Sequence, residues 1–454
     1  MCGISFAFQN DLAEHITRST SHRGVRHKIR RLAKNAFIGH NRLPIQGLDS
    51  SQDHPQQFGS LTGAFVGEIF NFREFSPDAK SDLPVLLEQF MKKGFHCFEE
   101  FDGFWAGIIH DSYTNTVVIF TDFLAKKPLY YRTKPFCVSS EIKGLIGHNL
   151  KPLCFDEVYF SAVRKWGYCP ENRTPFEGIK KLAPGCFIKI DLRTEKWNVY
   201  RYDTLKPISR PLGKHLIKAV KNRLVSDVPI SILLSGGLDS TIIYELLKTQ
   251  MDNKITIFHI ENDEAQYLEY IDIRPQDEVR QLKINSDDLK RLSEILYHND
   301  GPVDLGSMVP QYLLAEAIRK EGFAVCISGD GADELFGGYK RAAVYDSQRS
   351  DIFHELVQYH LPRLDKMMMA HTVELRCPFL SRPVIEAAMA TPYQFRINKL
   401  ILKKVFGIIL PKEIVERKKV PLRFKKSQEW TEHLIRLYRS FYNECERRQG
   451  YDGT

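Results

Sequence analysis

The stretch ISILLSGGLDST, residues 230–241, decides the fold of the second half of the chain. Its apolar run has the pattern of a buried strand, and the residues that follow the glycines begin an amphipathic helix. The turn between them points backbone N–H groups at an anion from a helix N-terminus, where the dipole also favours negative charge. We therefore predict a phosphate site here, although these letters alone also fit an ordinary turn.

The residues of this turn suit a polyphosphate with a divalent cation. Gly236 and Gly237 allow close approach of the backbone, while Ser235 and Ser240 supply hydroxyl donors. Asp239 would repel a phosphate unless a cation stood between them, which implies magnesium. No lysine follows the glycines, so the turn is not a GxxxxGK(S/T) Walker loop.

A second loop of this kind occurs at residues 326–339, CISGDGADELFGGY, again after an apolar run. It gathers Asp330, Asp333 and Glu334 among glycines at the carboxyl end of a strand, where open α/β sheets bind ligands. Acidic residues beside a phosphate loop fit magnesium. A solvated acidic turn is the alternative, but it explains poorly why two strand ends carry such loops.

The chain divides into two parts around these loops. Up to about residue 200, short strand-like runs are interrupted by one clear helical segment at 81–94, which indicates a sheet-rich α+β domain. Beyond about residue 205, helices alternate with buried strands, which predicts a parallel sheet, and from about 340 the chain reads as mostly helical. We predict two domains, 1–204 and 205–454.

Composition excludes several classes of protein. The 454 residues have the apolar and charged fractions of an ordinary globular protein. No apolar run approaches the roughly 18 residues of a membrane span, and no signal-peptide pattern is present, so we expect a cytoplasmic protein without membrane contact. Nine cysteines without a CxxC pair argue against a zinc site, and a dispersed charge of +8 does not indicate a nucleic-acid partner.

Cys2 directly follows the initiator methionine. Removal of Met1 would leave a free α-amino group beside the thiol. An α-amine has a pKa of roughly 7.7 to 8.0 and can act as the base for such a nucleophile. A cysteine that merely packs as a small apolar residue is the alternative from these letters alone.

Taken together, the motifs resemble those of the glutamine-dependent asparagine synthetases along nearly the whole chain. The first half carries MCGI, SHRG, IGHNRLPI, VGEIFNF, KSDLPVLL, FDGFWAGIIHD, KKPLYY and SSEIKGL, and the second half carries SDVPISILLSGGLDS, SGDGADELFGGY, MMMAHTVELRCPFL and ILPKEIVERKK. The resemblance implies an Ntn-hydrolase-type sandwich of antiparallel sheets and helices. It also implies a following α/β ATP-pyrophosphatase domain with a parallel sheet and a helical C-terminal part.

The resemblance also implies roles in the first domain. In such enzymes the cysteine after Met1 attacks the glutamine amide, forms a glutamyl thioester and releases ammonia, so Cys2 is the expected nucleophile and Gly67 an oxyanion donor. Arg42 would hold the glutamine α-carboxylate and Asp82 its α-ammonium group. The implied glutamine-binding residues are Arg42, Glu68, Asn71 and Asp82.

One of the departures from the family pattern matters for glutamine hydrolysis. Val66 stands where the family has the asparagine whose amide helps to form the oxyanion hole. Loss of such a donor costs on the order of 10²- to 10³-fold in rate in other enzymes. We therefore expect a weakened glutaminase site beside an intact glutamine-binding set.

For the second domain the resemblance implies ATP and Mg²⁺ as cofactors. Asp239 and Asp333 would share the metal ion, and Asp330 would handle the acyl-adenylate. Lys419 would stabilise the departing pyrophosphate, with its neighbour Lys418 as an alternative. The implied ATP-binding residues are Leu233, Ser235, Gly236, Gly237, Asp239, Ser240 and Gly329.

The leading hypothesis is ATP-driven amidation of aspartate with glutamine as the nitrogen source. A relative that amidates or cyclises a different carboxylic acid is the first alternative, although the β-lactam-forming members have lost the nucleophilic cysteine. A catalytically silent protein that binds ATP or glutamine, and a tRNA-modifying pyrophosphatase, are further alternatives. The expected partners are small-molecule substrates, and the oligomeric state stays open, with a homodimer as one option.

Overall fold

The computed structural model describes residues 2–147, 150–261, 265–303, 306–339, 354–417 and 428–448. Its strands are β1 Gly3–Ala7, β2 Arg26–Ala33, β3 Ala36–Arg42, β4 Gln56–Phe58, β5 Leu61–Ile69, β6 Gly103–Asp111, β7 Thr116–Thr121, β8 Tyr130–Thr133, β9 Phe136–Ser139, β10 Ile179–Lys181, β11 Cys186–Asp191, β12 Trp197–Arg201, β13 Ile230–Leu233, β14 Thr256–Ile260, β15 Glu278–Leu282, β16 Val325–Ile327 and β17 Glu374–Arg376. Its α-helices are α1 Asn10–Ser19, α2 Phe72–Phe75, α3 Asp82–Lys93, α4 Glu157–Trp166, α5 Leu212–Asn222, α6 Leu238–Lys248, α7 Leu292–Asn299, α8 Met308–Lys320, α9 Ala332–Leu335, α10 Leu361–Met369, α11 Arg382–Ala390, α12 Tyr393–Arg396, α13 Leu400–Phe406, α14 Lys412–Glu416 and α15 Gln428–Arg448.

The first half consists of two six-stranded antiparallel sheets that pack face to face. Their strand orders are β10-β8-β9-β1-β3-β2 and β12-β11-β7-β6-β5-β4. Side chains alternate along β5, so Ala64 and Val66 enter the core between the sheets, whereas Leu61, Phe65 and Ile69 pack toward α3. Helix α1 covers the outer face of the other sheet. This sandwich confirms the fold class predicted for the first half.

The second half is built on a parallel sheet of five strands, in the order β15-β14-β13-β16-β17. Strand β13 lies at its centre and pairs with β16, so the two glycine-rich loops begin at adjacent strand ends. Helices α5, α6 and α8 contribute apolar side chains to the core around these strands. The predicted α/β architecture is confirmed.

Two strands of this sheet are absent from the sequence prediction. Strand β15 has the polar sequence EVRQL, and β17 is a three-residue ELR strand inside the region that the pattern indicates as helical. Both are edge strands, which pair on one side only and can therefore be short or polar. The predicted boundary near residue 205 falls between β12 and α5, in a segment without regular structure, and stays a prediction.

Buried ion pairs join the two halves. Arg23 donates to Glu141 at 2.7 Å and to Asp365 of α10 at 2.8 Å, and Lys127 lies 2.5 Å from the other oxygen of Asp365. Arg23 also donates from Nε to the backbone carbonyl of Cys2 at 3.0 Å. The segment that carries the expected nucleophile is therefore tied directly to the second half. Among the described residues, no helix has the length and apolarity needed to cross a membrane.

Candidate active sites

Cys2 immediately precedes β1 and lies opposite Arg42, because Gly3 pairs with Asn41 of the antiparallel strand β3. Its side chain is buried in the core between the sheets, and its Sγ accepts a hydrogen bond from the Leu43 N–H at 3.4 Å. Burial raises the pKa of the Cys2 thiol, and the charge of Arg42 partly counteracts this. A thiol in such surroundings needs a base to become a nucleophile, and the α-amino group of a processed chain would lie beside it.

Arg42 is buried and most of its donors are engaged. Nη1 donates to Asp53 at 2.6 Å and to the Asp49 carbonyl at 3.2 Å, while Nη2 donates to the carbonyls of Gln46 at 2.7 Å and Gly47 at 2.6 Å. The loop after β3 thus fixes the guanidinium in place. A glutamine carboxylate would be met by Nε, or after the exchange of one of these bonds.

Three carboxyl groups approach one another near this arginine. Asp82 begins α3 and accepts a hydrogen bond from the Ile69 N–H at 2.9 Å, and Glu68 accepts one from the Gln46 side chain. Burial raises the pKa of Asp82 to about 7, and burial together with repulsion from Glu374 and Asp82 raises the pKa of Glu68 well above its ordinary value. Arg376 pairs with Glu374 at 2.6 Å and compensates one of these charges, and the α-ammonium group of an amino acid could compensate another.

Val66 and Gly67 lie within strand β5, at the positions expected to hold the oxyanion. Gly67 has a φ of +129°, and a Cβ on it would lie 2.0 Å from the Phe104 carbonyl oxygen, so no other residue fits. Val66 is buried in the same apolar core as Cys2. An apolar side chain therefore stands where the family resemblance expects an amide donor.

The Asn71 side chain holds the segment before β6 in place. Its Nδ2 donates to the Glu100 carbonyl at 3.0 Å, and its Oδ1 accepts from the Asp102 N–H at 2.8 Å. The amide thus holds the turn that leads into β6. Both polar atoms of the side chain thus have backbone partners. The contact of Asn71 with glutamine stays a prediction.

Hydrogen bonds within the SGGLDS loop fix its shape between β13 and α6. Ser240 Oγ accepts a hydrogen bond from the Ser235 N–H, and Ser235 Oγ accepts one from the Gly237 N–H, both at 3.2 Å. Gly236 has a left-handed φ of +77°. A phosphate oxygen would have to replace these serine oxygens in order to accept hydrogen bonds from the same N–H groups. Leu233 ends β13 and packs on the core at the base of the loop.

The second loop lies directly against the first. A Cβ on Gly329 would lie 2.9 Å from the Ser240 backbone nitrogen, so the close approach requires glycine. Asp330 accepts a hydrogen bond from Ser328 Oγ at 2.7 Å, and burial raises the pKa of its carboxyl group. The predicted phosphate loop and the predicted acyl-handling residue thus share one site.

A lysine that the sequence did not single out joins the two loops. The Lys399 ammonium group bonds Asp239 and lies 2.5 Å from Asp333 Oδ1. Lys399 has a left-handed φ of +60°, and its N–H donates to the Phe336 carbonyl at 3.0 Å. Its two acidic partners raise the pKa of Lys399 above its ordinary value against the opposing effect of burial. The lysine is therefore held as a cation between the loops.

The donor set at this point fits magnesium bound together with a nucleotide. Asp239 and Asp333 already face one cation, and Mg²⁺ commonly binds one or two carboxylates together with substrate phosphates and water. No group of three metal-ligating side chains occurs among the described residues. Phosphate oxygens would therefore complete the coordination.

Lys419 and its neighbour Lys418 lie outside the described residues, so their predicted role stays a prediction. Arg417 comes just before them, donates to the Gly236 carbonyl at 2.6 Å and packs over the Tyr267 ring at 4.3 Å. Arg417, like Lys399, lies near the SGGLDS loop, and no sequence motif indicates that position. Only the tertiary structure shows the proximity.

The fold places a sandwich of two antiparallel sheets, with Cys2 before its first strand, ahead of an α/β part whose parallel sheet carries the two glycine-rich loops. The asparagine synthase family matches residues 212–357 and 341–449, and the glutamine amidotransferase domain family matches residues 1–202. The chain belongs to the asparagine synthase family, whose members are ATP-using enzymes, and it carries a glutamine amidotransferase domain in front.

Relatives that carry different names match most of this chain. Asparagine synthetase B (glutamine-hydrolyzing) of Escherichia coli is 26% identical, with a match that covers 92% of this chain and 81% of that protein. Asparagine synthetase (glutamine-hydrolyzing) 3 of Arabidopsis thaliana is 25% identical, covering 92% of this chain and 78% of that protein. Amidase chyE of Penicillium rubens is 26% identical, covering 78% of this chain and 59% of that protein.

Proposed function

We propose that the protein converts aspartate to asparagine, with glutamine as the nitrogen donor and ATP as the source of energy. The observation that carries the proposal is the junction of the two loops, where Lys399 bridges Asp239 and Asp333 beside the Ser235 turn. ATP phosphates would bind the N–H groups of the turn, with Mg²⁺ shared by the two aspartates. The aspartate side chain would attack the α-phosphorus, giving β-aspartyl-AMP and pyrophosphate.

Nitrogen would come from the first domain. Cys2 would attack the glutamine side-chain amide, with Arg42 and Asp82 holding the α-carboxylate and α-ammonium groups. Ammonia released there would attack the adenylate near Asp330 and displace AMP. Lys419 and Asn71 keep the roles predicted for them as part of this proposal.

The decisive experiment is product analysis with ATP, Mg²⁺, aspartate and either glutamine or ammonium. AMP, pyrophosphate and asparagine are the expected products, because the SGGLDS turn is not a Walker loop. Stoichiometric ADP would exclude the proposal. Cys2→Ala should abolish the glutamine-dependent reaction and leave the ammonium-dependent reaction intact, which assigns glutamine hydrolysis to the first domain.

A second candidate is ATP-driven amidation of a different carboxylic acid by the same route. Two observations favour this second candidate. Val66 stands where the family resemblance expects an oxyanion donor, and one relative is named as an amidase. A panel of acids supplied one at a time with ATP and ammonium separates the two candidates. Acid-dependent pyrophosphate release with another acid but not with aspartate would favour the second.

A further inference from the structure

Arg23 holds the backbone of Cys2 through a guanidinium group that is almost completely buried. Its Nε donates to the Cys2 carbonyl oxygen at 3.0 Å. Nη1 donates to Glu141 at 2.7 Å, and Nη2 donates to Asp365 at 2.8 Å. Only 1% of the side chain of Arg23, and 1% of that of Asp365, is exposed. Because the three bonds use three nitrogens of one planar group, together they fix both its position and its orientation.

The two carboxylates that hold Arg23 come from different halves of the chain. Glu141 follows β9 in the first half, whereas Asp365 lies on α10 in the second half. Leu364, beside Asp365 on this helix, packs into the core around the parallel sheet. The other oxygen of the Asp365 carboxylate lies 2.5 Å from Lys127, which fixes the direction of the carboxylate. The placement of Arg23 therefore depends on a residue outside the half that carries Cys2.

The contact between Arg23 and Asp365 joins two charged groups. Burial acts to raise the pKa of the Asp365 carboxyl group, but the charges of Arg23 and Lys127 outweigh burial, so this pKa lies below its ordinary value. An arginine side chain stays protonated in proteins. The contact is therefore a charge-assisted hydrogen bond, and removal of the carboxylate leaves the guanidinium without one of its two anions.

The bond from Arg23 restricts the orientation of Cys2. In the processed chain that the proposed function requires, Cys2 is the first residue, and a single peptide bond joins it to Gly3. Terminal residues are poorly ordered unless other groups hold them. The Cys2 carbonyl carbon is bonded to the same Cα that carries the thiol side chain and the α-amine. A hydrogen bond to this carbonyl therefore sets the direction in which the nucleophile and its base point.

We infer that Asp365 is a positioning residue for glutamine hydrolysis, because it fixes Arg23 and, through Arg23, the direction of the Cys2 thiol. The inference rests on the proposed function and makes the first site depend on a side chain of the second half. Misplacement of a reacting group by about 1 Å can cost on the order of 10²-fold in rate. Asp365 acts through Arg23 and needs no contact with glutamine.

Asp365→Asn tests the inference in the full-length protein, because it removes the charge and keeps the size of the side chain. The kcat for glutamate release should fall roughly tenfold or more, since one side of Arg23 is no longer fixed. The KM for glutamine should stay within about threefold of wild type, because the proposed glutamine contacts of Arg42 and Asp82 are untouched. Asparagine formation with ammonium should stay within about twofold, since this reaction bypasses Cys2.

A double-mutant cycle separates positioning from a general loss of structure. Arg23→Met should by itself lower the kcat for glutamate release. Addition of Asp365→Asn to Arg23→Met should lower this kcat by less than about twofold more, because Asp365 has then lost the group through which it acts. Effects of the two substitutions that multiply in full would overturn the inference.

Lys127→Met is the matched control, since Lys127 is a buried partner of the same Asp365 carboxylate. The substitution removes a neighbouring charge but leaves the hydrogen bond between Arg23 and Asp365 in place. Its kcat for glutamate release should stay within about threefold of wild type. A loss as large as that of Asp365→Asn would show that any break in this group of charges is sufficient, and would overturn the inference.

The pH profile of glutamate release gives a second readout. A misplaced thiol reacts more slowly at every pH, so Asp365→Asn should lower kcat by the same factor from about pH 6.5 to about pH 9. A loss confined to one end of this range would mean that Asp365 controls the ionisation of Cys2 instead of its position, and would overturn the inference.

Thermal melts and the ammonium-dependent rate identify variants that are folded. If Asp365→Asn does not fold, Asp365→Ala takes its place in every comparison, because it leaves room for water beside Arg23 and Lys127. A folded Asp365 variant that releases glutamate at the wild-type rate would overturn the inference alone. A wild-type protein that releases no glutamate from glutamine would remove the glutamine-dependent part of the proposed function, which is a different result.

Discussion

The Nζ atom of Lys399 lies 2.5 Å from Oδ1 of Asp333, and the same ammonium group bonds Asp239 on the neighbouring loop. Two carboxylates at adjacent strand ends repel each other, and the lysine neutralises that repulsion. Phosphates bound in the SGGLDS turn would meet a cation already in place beside them. We therefore expect the lysine to contribute to nucleotide binding as well as to holding the two loops together.

Lys399→Met should lower AMP formation by on the order of 10²-fold, because a charge that stabilises the transferring phosphoryl group is lost. The variant also leaves Asp239 and Asp333 without their cation. Mg²⁺ alone should therefore raise the Tm of Lys399→Met more than that of the wild type. Pyrophosphate release and thermal melts with and without Mg²⁺ measure the two effects.

The exposed Lys404, on the helix that follows, gives a matched control in Lys404→Met. This variant should behave as wild type in both measurements. If Lys399→Met forms AMP at the wild-type rate, the lysine has no part in the reaction of the nucleotide. If Mg²⁺ leaves the Tm of Lys399→Met unchanged, Asp239 and Asp333 do not bind the ion.

Gly329→Ala should separate the two glycine-rich loops. Its Cβ would lie 2.9 Å from the Ser240 nitrogen and 3.0 Å from Asp239 Cβ, so the backbone must shift at the point where phosphate would bind. We expect pyrophosphate release to fall at least tenfold, while glutamate release at Cys2 is retained. Gly407→Ala is the control, since nothing lies within 4 Å of its Cβ position, and equal activity of the two variants would contradict the proposed contact.

The sequence predicted what depends on local pattern. The strand, turn and helix at 230–241 are encoded by neighbouring residues, and the glycines mark positions where the backbone must come close. Lys399 was missed because its partner Asp239 is 160 residues away in the chain, and nothing in the neighbourhood of Lys399 indicates a ligand site. Such proximity arises only when the helices after β17 pack back on the sheet.

In the first domain, too, contacts between residues far apart in the sequence could not be predicted. The positions of Cys2 and Arg42 follow from motifs, and pairing of β1 with β3 brings them together. The approach of Glu374 to Glu68 depends on β17, a three-residue strand that no periodicity reveals. The motifs therefore name the residues that we predict to bind glutamine, but they do not reveal the Glu374 carboxyl group that the second half of the chain brings near Glu68.

Asp82 should make glutamine binding and stability depend on pH in opposite ways. Its pKa of about 7, against about 3.9 in an unfolded chain, means that the folded protein binds more protons between these values. The contribution of Asp82 to the free energy of unfolding should therefore fall as pH rises from about 4 to about 7, and Asp82→Asn should make the slope shallower, with Glu68 still contributing. Urea denaturation across this range measures it.

Binding of the glutamine α-ammonium group needs the ionised form of Asp82. The KM for glutamine should therefore fall as pH rises through 7, with a smaller change in kcat. The KM for ammonium in the ammonium-dependent reaction, corrected for the fraction of free ammonia, serves as the control. A glutamine KM that does not change between pH 6 and 8 would contradict the role of Asp82 in the pocket.

Val66→Asn should strengthen the glutaminase. An amide at this position restores the donor that the family resemblance expects beside Gly67, and the gain should appear in kcat for glutamate release with little change in KM, since it belongs to the transition state. The side chain of residue 66 is buried in the apolar core with Cys2, so an unpaired amide would cost about 1 to 3 kcal/mol of stability. Thermal melts must accompany the kinetics, and Val66→Ala supplies a truncated side chain without a donor. A stable Val66→Asn protein with no faster glutamate release than Val66→Ala would mean that the oxyanion is held by groups other than residue 66.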